Sequence, residues 1–122
     1  MKILVAEDDE LMLKMLEFRL RKDGHEVIVT HDGREALAKI NELKPDLVIT
    51  DIMMPYLSGL EIIGAVKKNY PNTMPVIIIS GMGQESVVLD AFQLGADDYI
   101  TKPFSPNELS VRVKRFDKAA IS

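Results

Sequence analysis

Ile3-Leu4-Val5-Ala6-Glu7-Asp8-Asp9 sets four apolar residues directly against three acids. Four residues are too few for a helix, and their aliphatic and β-branched side chains suit a strand buried on both faces. Similar runs follow at 27–30, 47–50 and 76–79, with a shorter one at 99–101. Between them the apolar spacing changes to threes and fours. Leu13, Leu16 and Leu20 mark one helix, with Gly24 as its stop. Ala36, Leu37 and Ile40 mark a second, ending before Pro45. Ser58 and Glu61 read as a capping box that opens a third, carrying Ile62, Ile63 and Val66. Val87, Val88, Ala91 and Leu94 mark a fourth, ending at Gly95. Ser105, Pro106 and Glu108 open a fifth, with Leu109, Val113 and Phe116 turned inward. Five alternating strand–helix units predict an α/β domain: a doubly wound (βα)5 chain in three layers, with a five-stranded parallel sheet between two helical layers.

The composition agrees. A chain of 122 residues makes one domain, with residues 1–122 able to bury about two thirds of the unfolded surface. Hydrophobic residues make up 47% and charged residues 28%, which excludes a disordered chain. Cysteine is absent, so a disulfide scaffold, a cysteine nucleophile and a thiolate metal site are all excluded. A chain without bridges is not built for an oxidising compartment, and a cytoplasmic location is the expectation. No apolar run approaches the roughly 20 residues of a membrane span. Acids at 7–10 are unlike a signal peptide. A net charge of −4 and a pI near 5.1 disfavour nucleic-acid contact by this domain. The chain stops just past the fifth helix, as a piece cut from a longer protein would.

In an open parallel sheet, ligands bind beyond the carboxyl ends of the strands. Glu7, Asp8 and Asp9 follow the first strand, and Asp51 ends the third. Ser80 ends the fourth, and Lys102-Pro103 follows the fifth. Each has an ordinary structural role open to it. Asp9, or its neighbour, can cap the first helix. Asp51 can be a loop acid, Ser80 a small residue at a strand end, and Lys102 a solvated lysine. Taken together these roles fail, because acids clustered at one strand end repel each other and call for a cation. Oxygen ligands without His or Cys suit a hard cation, and few carboxylates completed by water suit Mg²⁺ better than Ca²⁺. A lysine and a hydroxyl beside such a metal can meet phosphoryl oxygens. Asp51 is then the natural nucleophile for an acyl phosphate.

These residues carry a resemblance that spans essentially the whole chain. Ile3-Leu4-Val5-Ala6-Glu7-Asp8-Asp9, Asp51-Ile52-Met53-Met54-Pro55 with Gly59, Ser80-Gly81, Gly95-Ala96-Asp97-Asp98-Tyr99 and Lys102-Pro103-Phe104 resemble the motifs of the receiver domain of two-component response regulators. The resemblance implies a flavodoxin-like sheet of order 2-1-3-4-5, the order of chemotaxis receivers. It implies that Asp51 accepts a phosphoryl group from a sensor histidine kinase or phosphotransfer protein. Asp8, Asp51 and the backbone carbonyl of Met53 would hold Mg²⁺ directly, and Glu7 through water. Ser80 and Lys102 would bind the phosphoryl group. Tyr99 would act with Ser80 as the switch, and the bond before Pro103 would be cis. Asp9 falls outside the acidic pair and keeps its capping role.

The resemblance also implies an output face on the fourth helix, fifth strand and fifth helix. Arg112, Lys114, Arg115 and Lys118 make the fifth helix basic, which suits either a solvated face or a docking face. The run from 95 to 104 is similar to receivers that precede winged-helix DNA-binding domains and pair through charged residues. Asp97, Asp98, Arg112 and Arg115 are the candidates for a phosphorylation-dependent homodimer. The chain is expected to be a phosphoacceptor with slow self-dephosphorylation rather than an enzyme. A phosphohydrolase with an aspartyl nucleophile often has a second Asp two residues on, where this chain has Met53. A flavin carrier of this architecture would not place acids where the flavin phosphate binds. A receiver that no longer takes phosphate would not need all of these side chains. His25 and His31 flank the second strand and read as surface residues, and Met12 and Met15 as helix packing.

Overall fold

A computed structural model describes residues 1–118. Strands and helices alternate as β1 (Lys2–Ala6), α1 (Glu10–Lys22), β2 (Glu26–Thr30), α2 (Gly33–Leu43), β3 (Leu47–Asp51), α3 (Gly59–Asn69), β4 (Val76–Ser80), α4 (Glu85–Gln93), β5 (Asp98–Thr101) and α5 (Pro106–Lys114). The five strands form one parallel sheet in the order β2-β1-β3-β4-β5. This is the flavodoxin-like architecture.

The alternation of side chains along each strand divides the core in two. Leu4, Ala6, Val48, Val76 and Ile78 face one way and pack with Ala36, Ile40, Ile62, Ile63, Val66 and Ala91, all buried, from α2, α3 and α4. Ile3, Val5, Ile49, Ile77, Ile79 and Ile100 face the other way and meet Leu13, Leu16, Leu20, Leu109 and Val113 from α1 and α5. Both faces of β1, β3 and β4 are covered, which is why those runs are uniformly apolar. Met12 and Met15 pack against the second cluster.

Helix starts follow the capping residues. Asp9 Oδ1 accepts from the N–H of Leu11 and Met12. Ser58 and Glu61 form the reciprocal capping box of α3. Ser105 caps α5 with Pro106 in its first turn. Each such cap contributes about 1 kcal/mol.

Three expectations need correction. The last strand is not buried on both faces: Asp98 and Ile100 are buried while Tyr99 and Thr101 are exposed, because β5 lies at a sheet edge. Leu94 is not core; α4 ends at Gln93 and Leu94 is 44% exposed beyond it. Phe116 lies past the end of α5, although it still packs partly on the second cluster. No helix among the described residues is long and apolar enough to cross a membrane.

Candidate functional site

Strands β1 and β3 are neighbours, yet the helices that follow them, α1 and α3, pack on opposite faces. The chain therefore parts beyond their carboxyl ends and leaves a crevice. Glu7 and Asp8 enter it from β1 and Asp51 from β3. One carboxylate oxygen from each of the three lies within 4.8 Å of the others. Asp51 Oδ1 accepts from Met53 N–H at 2.9 Å. Asp51 Oδ2 accepts from Lys102 Nζ at 2.7 Å. Lys102 arrives from the far side of the sheet, just after β5, with its peptide bond to Pro103 cis. Gly59 sets the other wall, since a Cβ there would stand 2.6 Å from the Asp51 carbonyl oxygen. Only glycine lets α3 start this close to the end of β3.

The electrostatics are unbalanced. Glu7 is fully buried. Its Oε1 accepts from Asp9 N–H at 3.1 Å, whereas its Oε2 is buried without a hydrogen bond and lies 3.4 Å from Lys102 Nζ. Burial first, and the adjacent Asp51 second, push the Glu7 carboxyl up to about 7. Burial pulls Lys102 the other way, but the hydrogen bond and charge of Asp51, with Glu7 behind it, hold the ammonium above its ordinary value. Three carboxylates face one ammonium. A buried carboxylate oxygen without a donor, in a site made of oxygens, fits a hard cation.

Ser80 is buried at the end of β4, and its carbonyl accepts from Lys102 N–H at 2.7 Å. Tyr99 points outward. Its ring meets Phe92 edge-on at 5.7 Å, and the Arg112 guanidinium stands 6.0 Å from its centroid. Between Ser80 and Tyr99 lies an open groove of about 450 Å³ lined by Val88, Leu89, Phe92 and Thr101.

The four candidate dimer residues do not share one patch. Asp98 is buried and takes Arg112 and Arg115 of its own chain at 2.8 and 2.9 Å. Asp97, just before β5, turns to the opposite face of the sheet, where it binds Lys67 Nζ of α3 and the Val76 N–H at the start of β4, both at 2.8 Å. His31 is exposed between Glu10 and Glu35. His25 is not a plain surface residue: it is half-buried, with Nδ1 3.1 Å from the Met1 amino group. Burial, then that ammonium, lower its pKa.

Two contacts near the site escaped the sequence reading. Arg34 stacks on Tyr56 at 3.9 Å, and Tyr56 has φ 68°. Gln84 Oε1 accepts from Gly81 N–H at 2.6 Å. A glutamine three residues past a strand-end glycine was the available signal for the second.

Residues 3–114 match the response regulator receiver domain family. The chain is 40% identical over 113 residues to the alkaline phosphatase synthesis transcriptional regulatory protein PhoP of Bacillus subtilis, covering 93% of this chain and 47% of that protein. It thus spans about half the length of that relative. A response regulator receiver domain protein from Clostridium thermocellum superposes with a TM-score of 0.89 at 37% identity, over 94% of this chain and 92% of the other. The chemotaxis response regulator CheY4 of Vibrio cholerae superposes with a TM-score of 0.85 at 31% identity, over 94% and 97%. With the sheet order, the acidic crevice and the lysine opposite it already in place, this likeness along nearly the whole chain makes it a member of the response regulator receiver family.

Proposed function

We propose that Asp51 accepts a phosphoryl group from a phosphohistidine on a sensor histidine kinase or phosphotransfer protein. The observation that carries this reading is the contact of Lys102 Nζ with Asp51 Oδ2 at 2.7 Å, beside three carboxylates within 4.8 Å of one another. An Asp51 oxygen attacks phosphorus in line. The P–N bond to the imidazole breaks, and its electron pair returns to the ring nitrogen. Lys102 and the Ser80 hydroxyl meet the charge on the equatorial oxygens. Asp8, Asp51 and the Met53 carbonyl would hold Mg²⁺, with Glu7 through water. When bound, the ion supplies positive charge opposite the transferring group. The product is a mixed anhydride, so water reverses it slowly and no separate substrate is turned over.

Ser80 and Tyr99 are the proposed switch, and the surface of α4, β5 and α5 its output. A homodimer on that face would use Asp98, Arg112 and Arg115, with Asp97 at its margin. Residues 1–122 would act as one receiver domain in the cytoplasm, without touching nucleic acid, and pass the signal to an effector held elsewhere.

The test is intact mass after incubation with acetyl phosphate and Mg²⁺. One added phosphoryl group is expected, absent in Asp51→Asn and in chelator. A folded protein that gains no mass, from acetyl phosphate or from a kinase, would overturn the proposal.

A further inference from the structure

Helix α4 begins unlike the other four. Asp9, Asp32, Ser58 and Ser105 each give a side-chain oxygen to the first turn of their own helix. Gln84 occupies the same position before α4, yet it caps nothing there. Its amide turns back, and Oε1 accepts from Gly81 N–H at 2.6 Å. That oxygen ties the start of α4 to the residue after Ser80.

That tie spans the turn between Ser80 and α4. Little else restrains the turn. Met82 is 84% exposed. Gly83 has φ 83°, and a Cβ built on Gly81 would meet only the Gln84 side chain. Glycines on both sides of Met82 leave the backbone free to rearrange. Among the described residues, the Gln84 contact is the one side-chain hydrogen bond made to residues 81–83.

We propose that Gln84 is a positioning residue for the reaction at Asp51: its amide oxygen latches the Ser80–Gly81 backbone in the resting position and releases it when Ser80 moves onto the phosphoryl group. This rests on the roles given to Asp51 and Ser80 above. A hydrogen bond present in one arrangement and absent in the other biases the equilibrium between them by its own net strength. Removing it therefore favours the phosphoryl-bound arrangement.

The test uses the whole chain with Mg²⁺ and beryllofluoride, a stable tetrahedral mimic of the phosphoryl group, read by amide NMR. In the wild type, the Gly81 amide is protected from exchange, and its resonance shifts as it changes acceptor when the mimic binds. In Gln84→Ala that protection is lost from the start, and the apparent affinity for the mimic rises about threefold to tenfold, the range of one neutral hydrogen bond. Gln84→Ser gives the same rise while supplying the cap that α4 lacks, so it separates release of the latch from weakening of the helix. Gln84→Glu keeps an acceptor at the same reach and does not exceed wild-type affinity. A merely structural Gln84 has the opposite sign: mimic binding in Gln84→Ala weakens together with the melting temperature. Unchanged or weaker binding in Gln84→Ala and Gln84→Ser, with the wild type binding normally, overturns the latch alone. If the wild type binds no mimic, the acceptor role of Asp51 falls and the latch falls with it.

Discussion

Replacing Glu7 by glutamine should stabilise the protein in chelator at pH 8. Glu7 is fully buried, its Oε2 has no donor, and its carboxyl titrates at about 7 rather than 4.5. The unfolded chain ionises Glu7 at the ordinary value, whereas the folded chain resists. Between pH 4.5 and 7 the folded state holds the extra proton, so stability falls as pH rises through that window. The full cost is in place above pH 7. At about 1.4 kcal/mol for each tenfold change in the proton equilibrium, it is roughly 3 kcal/mol. The Lys102 contact at 3.4 Å is already included in that figure, and an amide matches the carboxyl's hydrogen bonds less well, leaving a gain near 2 kcal/mol for Glu7→Gln. For a domain of this size that is a rise in Tm of about 8 °C. Thermal melts in EDTA at pH 8 should show it, and the gain should shrink below about 0.5 kcal/mol at pH 4.5. With Mg²⁺ the gap should narrow, because the cation stabilises the wild type more. If Glu7→Gln melts at or below the wild-type temperature in EDTA at pH 8, the account of the crevice as electrostatically strained is wrong.

Lys102→Met should slow acceptance from acetyl phosphate at least about tenfold, the ordinary effect of one charge-assisted hydrogen bond of 1.5–3 kcal/mol; a rate within error of wild type in a timed mass assay would remove Lys102 from the chemistry. His25 has its pKa lowered by burial and by the Met1 ammonium, so the stability it allows is present above pH 6.5 and is lost as pH falls below that value; His25→Gln should flatten the slope of Tm against pH there. Ile78 is fully buried within β4, and Ile78→Ala should cost about 2–5 kcal/mol in urea unfolding with an unchanged m-value.

The three central strands were legible because burial on both faces forces unbroken apolar runs, and a polar residue ending such a run is conspicuous. Glu7, Asp51 and Ser80 stand out for that reason. The edge strand was harder to read. In Asp98-Tyr99-Ile100-Thr101 only two residues are buried, and one of them is an acid whose burial depends on Arg112 and Arg115. Local spacing supplies the charges but not their partners, so Asp97 and Asp98 look equivalent in the chain and serve opposite faces of the sheet. Leu94 fits a helical period that the helix does not live to complete. Gln84 left almost no trace, since its partner is a backbone N–H and carries no side-chain signature.

The pairing of Asp98 bears on how an output face here can work. Arg112 of α5 and Arg115 just past its end are already bound to Asp98 at 2.8 and 2.9 Å. A second copy of the chain using the same residues would exchange partners rather than add ion pairs. Asp98 is buried, so freeing its arginines would strand a buried carboxylate, and an exchange contributes at most the difference between two similar pairs. Any strong response to phosphorylation on this face must therefore draw on something that changes in kind. Leu89, Phe92 and Tyr99 are exposed at 65%, 39% and 39%, and the groove between Ser80 and Tyr99 has room for an aromatic side chain. Turning Tyr99 inward would strip Phe92 of its edge contact and take the ring away from Arg112. The apolar surface of the face, and the freedom of one arginine, would then change together. Such a turn would couple the hydroxyl at the end of β4 to α5 through one ring, with the charged pairs setting register and the apolar surface setting affinity.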